Sequence, residues 1–368
     1  MKKNKNLGLY VHVPFCIQKC AYCDFYSLAD SDVIDTYTDA LITNIKALAP
    51  TLSEYTVDSV FFGGGTPSLL GAFRFDRISK SINYSLNIDK NCEFSVEVNP
   101  ATVDTDLAHA FCESGVNRVS IGLQSSDDNE LKALSRIHNF DDFKRTYNLI
   151  FNKVTGNISV DIMYGIPRQD INSLNKTLCD VTLLNPQHIS AYGLKIEPKT
   201  AFGRMGNSLI LPSDDDQVLM YKTVCEHLSD KGYSRYEISN FSKHDMQCRH
   251  NLKYWNREEY IGIGPSAYSF FDGYRFSNTR SVSDYIKHFN GQNINIVDEK
   301  RYLSDTDIYN EQIMLGLRLE YGIVPDEVTL NKAKIYIDNG FMSFNGKRLS
   351  FTTEGFLVSN YILSDLIE

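Results

Sequence analysis

Six β-rich runs, at 7–13, 57–62, 93–98, 118–123, 158–163 and 188–194, recur through the first half of the chain with amphipathic helical stretches between them, such as 33–48 and 174–184. Parallel neighbours need a crossover of a dozen or more residues, so this alternation implies βαβ units and a parallel sheet. Within residues 7–195 it predicts an α/β fold, an open partial (β/α)6 barrel, with a doubly wound sheet as the alternative. In a barrel the working residues collect at the C-terminal ends of the strands. A cysteine cluster follows the first run and Gly63-Gly64-Gly65-Thr66 the second. Glu97 ends the third, Gln124 follows the fourth and Asp161 lies within the fifth.

Residues 196–300 are less regular and rich in Tyr, Asn and Ser, with a helical pattern near 214–229 and a block from Cys248 to Trp255. Helical patterns at 305–317 and 328–339 then precede a hairpin-like stretch, 341–351, and a last helix after Thr353. Asn345-Gly346 at its centre signals a type I′ turn. This order predicts a winged-helix-like module. It carries no basic recognition helix, so a lid or packing role is expected. The organisation expected is therefore a barrel over 1–235, a connecting region over 236–300 and a C-terminal helical, winged-helix-like domain over 301–368.

The 368 residues carry 46 acidic against 37 basic side chains, net −9. That balance argues against nucleic acid as a partner, which requires a basic face. The lysine-rich start followed by apolar residues 7–13 imitates the first half of a signal peptide, but Pro14-Phe15-Cys16 stands where a small-residue cleavage site would be. No apolar run approaches the ~20 residues of a membrane span, and a cytoplasmic protein is expected.

Of eight cysteines, five are scattered and three form Cys16-x3-Cys20-x2-Cys23. Three thiolates on one short loop can hold three irons of a [4Fe–4S] cubane and leave the fourth iron open. An open iron can accept the amino and carboxylate groups of S-adenosylmethionine. Zinc is the alternative, but structural zinc prefers four ligands in two pairs, and the second pair is missing nearby.

With Tyr22 before the third cysteine, this motif resembles the radical S-adenosylmethionine superfamily. Tyr10-Val11-His12-Val13-Pro14-Phe15-Cys16 resembles one branch of it, which holds the oxygen-independent coproporphyrinogen III oxidase HemN and the haem chaperone HemW. The resemblance implies a [4Fe–4S] cluster on Cys16, Cys20 and Cys23. It also implies S-adenosylmethionine contacts from Tyr10, Tyr22, Gly64, Gly65, Thr66, Glu97, Gln124, Arg136 and Asp161. Structural readings stand beside these: a strand–helix turn for the glycines, ion pairs for Glu97, Arg136 and Asp161, and core packing for the tyrosines.

The block Cys248-Arg249-His250-Asn251-Leu252-Lys253-Tyr254-Trp255 resembles the haem-binding signature of HemW. That resemblance makes His250 the expected haem ligand and Cys248 a weaker candidate, whereas a lone histidine is otherwise more often structural. Three features favour a haem chaperone over the oxidase: Phe25 where the oxidase carries another cysteine, nine residues before Tyr10 where the oxidase has a long extension, and the His-Asn-x-x-Tyr-Trp block. The expected partners are haem, a haem-acceptor protein with a membrane-bound respiratory one among the options, an electron donor and a second copy of the chain in a homodimer.

Overall fold

The computed structural model describes residues 5–29 and 32–368. Residues 1–4, the start of the signal-like segment, lie outside the described residues.

β1 (Lys5–Val13), β2 (Tyr55–Gly64), β3 (Ile88–Val98), β4 (Arg118–Gln124), β5 (Ile158–Tyr164) and β6 (His188–Gly193) lie side by side in sequence order, all parallel. A doubly wound sheet would reverse its order at a switch point. None exists in β1–β6, which form the expected partial barrel. Helices Ile34–Leu48, Gly71–Ser85, Thr105–Glu113, Phe140–Lys153 and Ile171–Leu183 occupy the crossovers. Their starts are set locally: Asp104, Asn139 and Asp170 each accept a backbone N–H of the first turn, which satisfies donors the helix leaves free.

Side chains alternate faces along a strand. Leu7, Leu9, Val11 and Val13 of β1, Phe94, Val96 and Val98 of β3, and Val119, Ile121 and Leu123 of β4 are buried in the core beneath the helices. The other parity is largely polar: Tyr10 and His12, Ser95 and Glu97, Arg118, Ser120 and Gln124, Ser159 and Asp161, His188 and Ser190. A one-residue slip would carry Glu97 and Asp161 under the helices, so the apolar face fixes the register that aims these carboxylates into the barrel.

Residues 236–300 contribute strands to both edges of this sheet. After β7 (Ser234–Arg235), β8 (Asn240–Ser242) pairs antiparallel with β6. At the other edge β9 (Tyr260–Ile263) pairs parallel with β1, and β10 (Tyr268–Phe271), β11 (Tyr274–Asn278) and β12 (Val297–Tyr302) extend it antiparallel. The result is an open sheet of twelve strands among the described residues.

Helices Asp305–Gly316 and Glu327–Asp338, the hairpin of β13 (Met342–Phe344) and β14 (Leu349–Phe351), and helices Thr353–Leu357 and Ser359–Leu366 make a C-terminal domain with its own core, including Leu317, Ala333, Met342, Phe351 and Leu363. The hairpin turn departs from expectation. Asn345 pairs with Arg348, so Gly346 and Lys347 are the central residues, and of these only Gly346 has positive φ, at 86°. A type I′ turn needs positive φ at both; this one suits type II′. Asn345 instead caps the turn, its side chain accepting from the N–H of Lys347 and Arg348. Glu311 ties the domain to the barrel through Arg257 at 2.8 Å and Arg275 at 2.5 Å. No described helix is long and apolar enough to cross a membrane.

Candidate functional site

The loop after β1 is pinned by backbone bonds. Cys16 N–H donates to Leu28 O at 2.9 Å, Leu28 N–H to Pro14 O at 2.7 Å, Ala21 N–H to Leu134 O at 3.2 Å and Phe202 N–H to Ala21 O at 2.9 Å. Beneath it run the glycines that end β2. Gly65 N–H donates to Val13 O at 2.8 Å, and a Cβ there would stand 2.5 Å from the Phe15 carbonyl oxygen. Gly64 has φ +109° and a Cβ there would strike the His12 ring. Gly65 is glycine because the start of the cysteine loop lies directly on it, and Gly64 because of its positive φ and the His12 ring of β1. Gly65→Ala must push the loop off its seat. It is expected to lower iron uptake on reconstitution severalfold while leaving helical circular dichroism unchanged.

Cys16, Cys20 and Cys23 are half-buried, unpaired in disulfides, and line one cavity of about 560 Å³. Burial pushes the Cys23 thiol up, and the sulfurs of Cys20 and Cys16 push it further. Three sulfurs gathered on one loop suit a shared metal centre. Among the described residues no three His, Cys, Asp or Glu side chains converge as a single-ion site. A zinc ion would draw sulfurs to about 2.3 Å from itself, whereas a cubane holds its thiolates farther apart. Donors also reach the sulfurs: the Thr66 hydroxyl at 3.6 Å from Cys16 Sγ and the Arg136 guanidinium at 3.5 Å from Cys20 Sγ. The donor set fits an iron–sulfur cluster.

Tyr22, Gly64, Gly65, Glu97, Gln124, Arg136 and Asp161 line the same cavity. Gln124 reaches it through a bulge between Gly122 and Gln124 of β4, with φ of 74°. Asp161 accepts from Ser120 Oγ at 3.0 and 3.1 Å, and burial raises its pKa. Burial, with the Asp161 charge adding to it, pushes Glu97 up to about 8. Arg118 and Arg136 offset the burial of these two carboxylates only in part, so the pair favours a cationic guest. The sulfonium of S-adenosylmethionine supplies that charge and its amine adds N–H donors, so these residues fit it. The cavity also draws in Asn99, Ser120, Tyr192, Lys195 and Glu197, which sequence reasoning missed. Asn99 directly follows β3, and Ser120 and Tyr192 share the inward parity of their strands; strand-end position and parity could have found them.

Tyr10, Thr66 and His250 stand outside this cavity's lining. The Tyr10 hydroxyl bonds to His12 Nδ1 at 3.1 Å, and Thr66 lies behind Cys16. His250 lies in helix Arg249–Trp255, deep in the barrel and fully buried. Its Nδ1 bonds to Ser59 Oγ at 2.9 Å and its Nε2 to the Tyr254 hydroxyl at 2.8 Å, with the ring stacked on Phe61 at 5.2 Å. Glu93 accepts the N–H groups of Arg249 and His250 at 2.9 and 3.0 Å. In this conformation both ring nitrogens of the expected haem ligand are hydrogen-bonded and its ring is buried. Cys248 is likewise buried, its thiol pushed up to about 12 by burial. His250→Ala is expected to cost about 2–4 kcal/mol of stability, through a cavity and two orphaned hydroxyls, read by denaturant unfolding, and to leave the haem absorption spectrum unchanged. A shifted Soret band in the folded variant would restore the ligand role.

The outward end of the same helix is open. Trp255 lines a cavity of about 460 Å³ between the block and the C-terminal domain, together with Arg257, Tyr309, Tyr321 and Arg348.

The Radical SAM superfamily profile matches residues 10–180. The chain is 36% identical over 286 residues to Heme chaperone HemW of Escherichia coli K12, covering 76% of this chain and 75% of that one. It is 32% identical to Heme chaperone HemW of Synechocystis over 97% of this chain and 95% of the relative, and 35% identical to that of Buchnera aphidicola (Schizaphis graminum) over 82% and 78%. Among solved structures, coproporphyrinogen III oxidase HemN of Escherichia coli shares the fold, with a TM-score of 0.86 over 99% of this chain and 90% of the other at 21% identity. The cysteine loop, the strand-end cavity above it and these relatives together place the chain in the HemW family of the radical S-adenosylmethionine superfamily.

Proposed function

We propose that this chain binds haem and hands it to an acceptor protein, carrying a [4Fe–4S] cluster on Cys16, Cys20 and Cys23 and S-adenosylmethionine beside it. The observation that carries this reading is identity with HemW chaperones along nearly the whole chain, 32% over 97% of it. The alternative, radical decarboxylation of coproporphyrinogen III, rests on a shared fold at 21% identity. Phe25, 71% exposed at the cavity rim, stands where the oxidase resemblance calls for a further cysteine.

When bound, the cluster offers an open iron and an electron to a sulfonium ligand. The chain's own residues hold that ligand. Glu97 and Asp161 face its positive groups, and Tyr22, Gly64, Gly65 and Gln124 wall the cavity. Tyr10 supports from below through His12.

For haem we favour the cavity beside Trp255. A planar macrocycle suits Trp255, Tyr309 and Tyr321, and a propionate suits Arg348. The Arg348 guanidinium donates to the carbonyls of Tyr321 and Gly322 and stacks on the Tyr321 ring at 4.8 Å, so it can take a carboxylate without breaking an ion pair. In this reading the protein works in the cytoplasm, draws an electron from a separate donor, pairs as a homodimer and delivers to a respiratory haem protein at the membrane.

A paired assay tests the function. Anaerobically reconstituted protein is expected to bind haem, pass it to an apo-acceptor and form no protoporphyrinogen from coproporphyrinogen; efficient turnover would reverse the choice. Trp255→Ala and Arg348→Ala are each expected to weaken haem binding about tenfold or more, a loss of about 1.4 kcal/mol, with iron content unchanged. Unaltered haem titrations would move the haem site elsewhere.

A further inference from the structure

We infer that Asn99 positions Thr66 and Arg136 as hydrogen-bond donors to two cluster thiolates and so helps set the cluster's reduction potential. This rests on the cluster assignment made above. Three separate elements meet here: Thr66 follows β2, Asn99 follows β3, and Arg136 lies in the loop after helix Asp128–Ala133. The donors run in one direction. Arg136 Nη2 donates to Asn99 Oδ1 at 2.6 Å. Asn99 Nδ2 donates to Thr66 Oγ1 at 2.7 Å. Thr66 Oγ1, with its lone pair so engaged, donates its hydroxyl proton to Cys16 Sγ at 3.6 Å. Arg136 Nη1 closes the bracket on Cys20 Sγ at 3.5 Å, while Nη2 is also held by the Gly122 carbonyl at 2.6 Å.

An uncharged side chain that accepts from a guanidinium and donates to a hydroxyl at the same time must be an amide at this length. A leucine would do neither, and an aspartate would accept on both sides and take the Thr66 proton away from the sulfur. Donors to thiolate sulfur offset the extra negative charge of the reduced cluster and raise its potential. Thr66 is buried, so its hydroxyl has little competition from water. Asn99 touches neither sulfur; its action passes through the two residues it holds.

The test uses the full chain, reconstituted anaerobically without S-adenosylmethionine. Iron content is measured first, then the midpoint potential by redox titration followed by electron paramagnetic resonance. Thr66→Val, nearly the same shape, is expected to keep its iron and shift the midpoint to more negative potential. Asn99→Leu is expected to shift it at least as far. The double variant is expected to move little beyond Asn99→Leu, because the Thr66 donation depends on Asn99. Wild-type potentials in variants that retain iron would overturn the inference, as would additive shifts. Loss of iron from all variants while the wild type stays loaded would overturn the tuning role in favour of a structural one. A wild-type chain that takes up no cluster would instead reject the underlying site assignment.

Discussion

Cys20→Ala protein, reconstituted anaerobically with iron and sulfide, is expected to lose its cluster absorption and to retain iron near background. Three thiolates are the minimum for a cubane with one open iron. Two would leave a pair of irons without thiolate ligands. The substitution also strips Arg136 of its sulfur acceptor at 3.5 Å. Affinity for S-adenosylmethionine is expected to fall at least about tenfold, equivalent to about 1.4 kcal/mol, because the open iron goes with the cluster. Cys112→Ser is the control: Cys112 is exposed and far along the chain from the loop, and its variant should match the wild type. An intact charge-transfer band in Cys20→Ala would remove Cys20 from the ligand set.

The parallel half of the fold was readable because each strand pairs a helix-facing apolar parity with a definite end. Leu7, Leu9, Val11 and Val13 on β1 state both facts. Glu97 and Asp161 were legible as site residues for the same reason: a carboxylate amid β-branched neighbours on a strand demands a partner. The edges of the sheet were not readable. β7, β8 and β9 have two to four residues, too few to show a period, and their pairing is fixed by neighbours far away in sequence. Asn99 was overlooked because its role exists only where three loops converge. His250 shows the opposite case. Its motif was visible, but the sequence gives no account of Ser59, Glu93 and Phe61, which bury it from β2 and β3.

Binding of S-adenosylmethionine is expected to tighten as pH rises and to level off above about 8, and Glu97→Gln is expected to abolish that dependence. Burial first, and the charge of Asp161 second, push Glu97 up to about 8. Below that value the unloaded site holds a proton on Glu97. A cationic ligand prefers the carboxylate, so binding must release the proton, and affinity changes by up to about tenfold per pH unit until the loaded site's own lower pKa is reached. The same shift acts on stability with its own sign. An acid whose folded pKa exceeds its unfolded value of 4.5 favours the fold below the unfolded pKa. That contribution is lost as pH rises towards about 8, where the buried charge forms. The unloaded protein should therefore be less stable at about pH 8.5 than at about pH 6.5 by more than its Glu97→Gln variant is, and ligand should close the gap. Titration calorimetry at both pH values, in two buffers of different ionisation enthalpy, reads the released proton directly. Equal affinities at the two pH values with no proton release would show that Glu97 does not face the ligand's positive charge. A Glu97→Gln variant that kept the full dependence would assign the titration to Asp161 or to the ligand's own amine, which titrates at about 8.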